Sequence, residues 1–159
     1  MPSPKKRKVQ KGDLLWIPVG PDKHAVAVVL HVSKYIRNGM VIGVFPHLFS
    51  SEADVQEAEL HPPFVDTPKW TGQLLASPTA WKIIGKLPPE DAARQPAAFR
   101  IGPTLYEGDV PVGTLEPEQW NQYPELLVWG KTALENHLEK VFGVDIDVSR
   151  SDSHGDPDA

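Results

Sequence analysis

Apolar and polar positions are most clearly patterned between residues 12 and 45, which read GDLLWIPVGPDKHAVAVVLHVSKYIRNGMVIGVF. Three apolar runs, at 13–18, 25–33 and 40–45, are separated by two turn signals. Gly20, Pro21 and Asp22 form the first. Asn38-Gly39 is the second, and it suits a two-residue type I′ hairpin, whose central residues both need φ > 0. In that register Arg37 faces Met40, Ile36 faces Val41, Lys34 faces Gly43 and Val32 faces Phe45. Directly opposed residues share a face. Val26, Val28, Leu30, Val32, Ile36, Val41 and Phe45 then form one apolar wall. Ala25, Ala27, Val29, His31, Ser33 and Tyr35 form a smaller, half-polar one. Gly43 has no side chain to pack and marks a bulge or a bend. The pattern predicts a strongly bent, mostly antiparallel sheet with one core face.

Residues 46–69 are the least regular part of the chain. Ser51 followed by Asp54 loosely fits a capped turn, and Pro62, Pro63 and Pro68 stop any helix. Asp54, Glu57, Glu59 and Asp66 make this excursion acidic, and long ordered loops in compact domains are often functional. Residues 70–75 and 81–87 read as strands, and 97–101 as a short strand closed by Gly102-Pro103. Residues 109–115, interrupted by Pro111 and Gly113, make an edge strand at best, and 126–129 make one more. Thr132 and Glu135 then form a capping box. Leu134, Leu138, Val141 and Phe142 fall on one helical face, and Gly143 is a C′ residue. That stripe is expected to lie on the sheet. The basic start, 1–10, and the acidic end, 149–159, are expected to be disordered. Residues 11–148 then make a single α+β domain whose sheet is SH3-like or a partly open barrel.

A length of 159 residues suits one domain, and 17 prolines with 12 glycines imply many turns. The absence of cysteine excludes disulfides, thiolate metal sites and cysteine nucleophiles. No apolar run reaches the roughly 18 residues of a membrane span. The basic start leads into a strand rather than an apolar signal region, so cytoplasmic residence is expected. Net charge is −5, but residues 1–11 carry five basic side chains and no acid, which leaves 11 basic and 21 acidic residues in the remainder. An acidic body disfavours nucleic acid and favours a basic protein partner. The run PKKRKV resembles a nuclear import signal, and its plainer reading is a solvated tail.

No P-loop, GxGxxG, GxSxG or HExxH is present. Extending the hairpin places His47 opposite Leu30, near His31. Two imidazoles beside a carboxylate make a metal or acid–base site, and packing at a strand end is the plainer alternative. No catalytic, cofactor-binding or metal-binding residue is therefore assigned, and no enzymatic activity is expected. Trp16 and Trp81 lie in strands and belong to the core. Trp70 and Trp120 flank loops and are candidates for a contact surface, where Trp is over-represented.

Gly12, Asp13, Leu14, Leu15, Trp16, Ile17 and Pro18, followed much later by Trp81, Ile84, Gly85, Pro88, Phe99 and Arg100, carry a family resemblance. Over about residues 11–105 the chain resembles the immunity protein 26 family of bacterial polymorphic toxin systems. The resemblance implies an α+β inhibitor, without catalytic residues, that binds one cognate toxin domain, often a nuclease, and blocks it. A basic toxin cleft would match the acidic body, with Asp54, Glu57, Glu59, Asp66 and Trp70 as the expected contacts. A small SH3-like module reading a peptide or a nucleic acid is the competing expectation.

Overall fold

The computed structural model describes residues 8–34, 38–61, 63–88, 98–107, 109–123 and 125–143. In chain order its strands are β1 (Asp13–Val19), β2 (Lys23–Val32), β3 (Gly39–Phe49), β4 (Lys69–Gly72), β5 (Lys82–Lys86), β6 (Ala98–Ile101), β7 (Thr104–Glu107), β8 (Val110–Thr114) and β9 (Val128–Trp129), followed by helix α1 (Lys131–Phe142). Six strands form a sheet in the order β5-β1-β2-β3-β4-β9, and three form a second sheet, β6-β7-β8. All neighbours are antiparallel except β4 and β9. The class is α+β, with the helix packed on the larger sheet. Residues 1–7 and 144–159, most of both expected tails, lie outside the described residues, as do 89–97.

The larger sheet is buried on both sides, not on one. Leu15, Ile17, Ala27, Val29, Met40 and Ile42 pack against Trp81, Leu134 and Leu138. On the other side Leu14, Trp16, Val26, Val28, Val41 and Phe45 meet Leu60, Trp70, Leu87 and Phe99. A strand covered on both faces reads as a near-continuous apolar run, and AVAVVL in β2 is such a run.

The β2–β3 register differs from the expected one. Asn38 does take a left-handed φ of 60°, but Gly39 is already the first residue of β3, paired with Gly72. Ser33 N–H donates to the Gly39 carbonyl at 2.9 Å, closing a longer connection. Its residues Tyr35, Ile36 and Arg37 lie outside the described residues. Val32 pairs with Met40 rather than Phe45, and Val28 with Gly43. A two-residue loop would have paired Val28 with Phe49, six positions along. An even displacement keeps every side chain on its face, so Val26, Val28, Leu30, Val41 and Phe45 still share one wall. A break in register between Val29 and His31 changes the parity at the strand end. His31 thereby leaves the face of Ala27 and Val29 and comes opposite Val41 and beside Trp70.

Gly43 is not a bend. A Cβ there would lie 2.6 Å from the Phe64 ring, so the glycine is the seat on which that ring rests. Gly12 has φ 95°, and a Cβ would meet the Leu87 carbonyl oxygen at 2.7 Å. Asp13, fully buried, accepts a hydrogen bond from Gln10 N–H at 2.7 Å. The Gly-Asp pair thus closes the chain before β1, and Val9 is 7% exposed within the core, inside the stretch expected as a tail.

Two further expectations change. Thr132 does not cap α1. Gly130 is its N-cap without a side-chain bond, and Glu135 accepts instead from Trp81 Nε1 at 2.8 Å and pairs with Lys131 at 2.9 Å. Gly102, at φ 56°, and Pro103 form a hairpin turn rather than a stop. They fold β6 back onto β7, a strand absent from the expected set. Gly143 ends α1 at φ 68°, as its C′ position requires.

Candidate interaction surface

The acidic excursion between β3 and β4 is docked on the sheet rather than free. Its two single 3-10 turns, Glu52–Asp54 and Glu57–Glu59, expose every one of their acidic side chains. Ser51 Oγ accepts from Ala53 N–H at 3.0 Å, as the capped-turn reading expects. Below the turns, Leu60 is buried and Phe64 packs on Phe45 with centroids 5.4 Å apart. Val65 N–H donates to the Val44 carbonyl at 2.7 Å. Lys82 on β5 pairs with Glu52, and Gly85 leaves room for the Glu57 carboxylate.

Asp54, Glu57 and Glu59 therefore share one docked, exposed stretch. Asp66 does not join them. It binds His137 of α1 at 2.7 Å, Lys69 at 3.2 Å and its neighbour Thr67 N–H at 2.8 Å. Burial pushes its carboxyl upward, but the bonds from His137, Thr67 and Lys69 outweigh this and hold it below the ordinary value. Trp70 is 4% exposed and sits inside the junction of the two sheets. Its ring meets Phe99 edge-on at 4.7 Å and His31 at 6.1 Å. A projecting anchor it is not. Trp120 is half-buried beneath the Arg100 guanidinium, 4.8 Å from its ring.

At that junction lies a cavity of about 310 Å³, walled by Trp70, Phe99, Trp129, Pro68 and Leu127, with Glu125 in its lining. Residues 125–129 form a strap over it. Leu126 N–H donates to the Arg100 carbonyl of β6 at 2.8 Å. Val128 and Trp129 pair with Trp70 and Thr71 of β4, and Thr71 Oγ1 donates to the Trp129 carbonyl at 2.6 Å.

His31 and His47 are not brought together. His31 Nε2 lies 3.1 Å from Asp109 Oδ1, which also accepts from Ser33 Oγ at 2.6 Å, while Asp109 Oδ2 accepts from Lys34 N–H at 2.8 Å. His47 instead points edge-on at Phe49. The carboxylate stands between serine and histidine, so His31 is not placed to take the Ser33 proton, as nucleophilic catalysis requires. The cluster latches the second sheet to the end of β2. Burial raises the Asp109 carboxyl, and the bonds from Lys34, Ser33 and His31 more than reverse this, leaving it below its usual value. Seventy-six residues separate Ser33 from Asp109, so no local pattern announces the pair. His24 stacks on Trp16 at 4.5 Å, and burial lowers its pKa against the opposing pull of Glu52 and Glu135.

Among the described residues no group of three His, Asp or Glu side chains converges as a metal site, and no helix is long and apolar enough to cross a membrane. Compared with known proteins, the chain matches no family model, no curated protein and no solved structure.

Proposed function

We propose that this chain is an immunity-type inhibitor that binds and neutralises a cognate bacterial toxin domain by protein–protein contact. The carrying observation is the docked acidic excursion. Between Phe49 and Lys69 the sequence holds five acids and no lysine or arginine, and Glu52, Asp54, Glu57 and Glu59 are all exposed. Lys82 balances Glu52, and the charge that remains at Asp54, Glu57 and Glu59 is negative; a patch of one sign steers a basic partner into register. Because Phe64, Leu60 and Val65 already hold the segment, binding would not pay the cost of ordering a loose loop. The resemblance carried by the Gly-Asp opening and the Trp81 segment supports the same reading.

The test is binding kinetics against the toxin domain encoded beside this gene. Replacing Asp54, Glu57 and Glu59 together with lysine is expected to slow association about tenfold or more at low salt, with a smaller effect on dissociation. Raising salt should shrink the difference, since exposed charges are screened within about 8 Å at 0.15 M. Unchanged association would move the interface elsewhere. Absence of any binding by the unaltered chain, and of protection of cells expressing the toxin, would remove the inhibitor reading.

A further inference from the structure

We infer that His24 makes the root of the acidic excursion a proton-sensitive joint, closed while its imidazole is neutral and loosened when the ring takes up a proton. This rests on the packing at one end of the larger sheet and not on the inhibitor reading, so either can fail without the other.

The joint is a short piece of ladder set apart from the rest. His24 pairs with Phe49, and Ala25 with Leu48. The register then breaks, since Ala27 takes Val44 and leaves Phe45, Pro46 and His47 between. Phe49 is the last residue of β3, and the excursion starts directly after it. Lys23 Nζ binds Ser50 Oγ at 2.7 Å, and Lys82 of β5 pairs with Glu52. The His24 ring lies flat on Trp16 of β1, with centroids 4.5 Å and planes 6° apart. Phe49 leans on the same indole at 6.4 Å. The stack therefore joins β1, β2 and the end of β3.

Among the described residues the His24 Nδ1 is enclosed and has no hydrogen-bond partner. A neutral imidazole can keep its proton on Nε2 and leave Nδ1 bare, whereas the imidazolium carries a proton on both nitrogens. In the stacked position it would hold a buried, charged donor with no acceptor, which is more costly than an unmet lone pair. The facing charges do not relieve it. Glu52 is taken by Lys82, and Glu135 of α1 by Trp81 Nε1 at 2.8 Å and Lys131 at 2.9 Å. Lys82 itself opposes the charge. Cation–π attraction to Trp16 acts the other way, as do the two carboxylates, but burial prevails and holds the ring below its ordinary value of 6.5. The contribution of the stack is therefore complete above that value and is lost as pH falls through the folded one. An imidazolium freed from the stack can turn to Glu52, in competition with Lys82.

The experiment uses the full chain and no partner, titrated from about pH 8 to about pH 5 and followed by NMR. The His24 ring should titrate with a midpoint below 6.5. The Trp16 indole N–H resonance should shift with the same midpoint as its stacked neighbour leaves. Protection of the amides in the His24–Phe49 and Ala25–Leu48 pairs, relative to their intrinsic exchange rates at each pH, should fall in step, while Val28 and Val29 stay protected. His24→Phe keeps an aromatic ring on Trp16 and takes up no proton, so it should remove both the Trp16 shift and the loss of protection. A midpoint at or above 6.5, or proton uptake with unchanged protection, would overturn the proposal, the second by showing an imidazolium at rest on the indole. So would the same pH-dependent loss in His24→Phe, which would assign it to another histidine. Should that variant not fold, the midpoint and the protection of the unaltered chain decide by themselves.

Discussion

In the larger sheet every residue of β2 from Ala25 to Leu30 is buried, whereas β8 of the smaller sheet exposes all five of its residues. Both sheets are antiparallel meanders in their cores, so the difference lies in what covers them. The β1–β3 meander has α1 and Trp81 on one face and the excursion, Trp70 and Phe99 on the other. The three-stranded sheet is attached through Phe99 and Tyr106, through the Asp109 latch and through the strap at Leu126. Val110 and Val112 remain in solvent, 59% and 48% exposed. Stability should therefore be concentrated in β1–β3, with the smaller sheet able to open on its own, since local unfolding follows the density of buried contacts.

The largest effect is expected where both faces are covered. Ile17→Ala should cost about 2–5 kcal/mol, read as a lower denaturation midpoint with an unchanged slope. Val112→Ala should stay within about 0.5 kcal/mol. Comparable losses at the two positions would break the contrast. Next in size, Gly43→Ala should cost about 1–3 kcal/mol by forcing the Phe64 ring off the sheet. In combination with Phe64→Ala the two losses should fall short of their sum, with a coupling of about 0.5–3 kcal/mol. Strict additivity would mean that another contact holds the excursion down. The smallest effect is local. Asp109→Asn should cost about 1 kcal/mol and speed amide exchange in β6–β8 while leaving β1–β3 protected. Since the folded Asp109 carboxyl lies below its ordinary value of 3.8, its stabilisation is complete above that value and is lost as pH falls through the folded one. Protection of the β6–β8 amides, relative to their intrinsic exchange rates at each pH, should thus fall on acidification below about pH 4 in the unaltered chain and less so in the variant. An equal fall in both would place the acid sensitivity elsewhere.

What the sequence disclosed follows from the range of each interaction. The apolar wall of β2 and β3 is readable because its period of two survives an even slip in register, even though the connection closed by Ser33 and Gly39 is longer than the two-residue turn that Asn38-Gly39 suggests. The edge character of β8 was readable from Pro111 and Gly113. Trp70 misled because its neighbours, Pro68 and the acids before it, look like a loop, while the ring that buries it, Phe99, arrives from a different sheet. Glu135 misled for a related reason: the nearby cap at Thr132 lost to Trp81, 54 residues upstream. Asp54, Glu57 and Glu59 were found by composition alone, and nothing local showed that Phe64 and Gly43 would fix them in place.

The order in which the covering pieces appear along the chain has a consequence for biosynthesis. A nascent chain acquires β1–β3 first, and this meander forms through contacts close in sequence, which favours early folding. Its two apolar faces then wait for Leu60, Trp70, Trp81 and Phe99, and last of all for Leu134 and Leu138. Until the helix leaves the ribosome, one side of the meander lacks its final cover, and exposed apolar sheet is what invites aggregation or a chaperone. Truncated products ending before α1 should therefore be lost from the soluble fraction during translation, although they already contain all nine strands described.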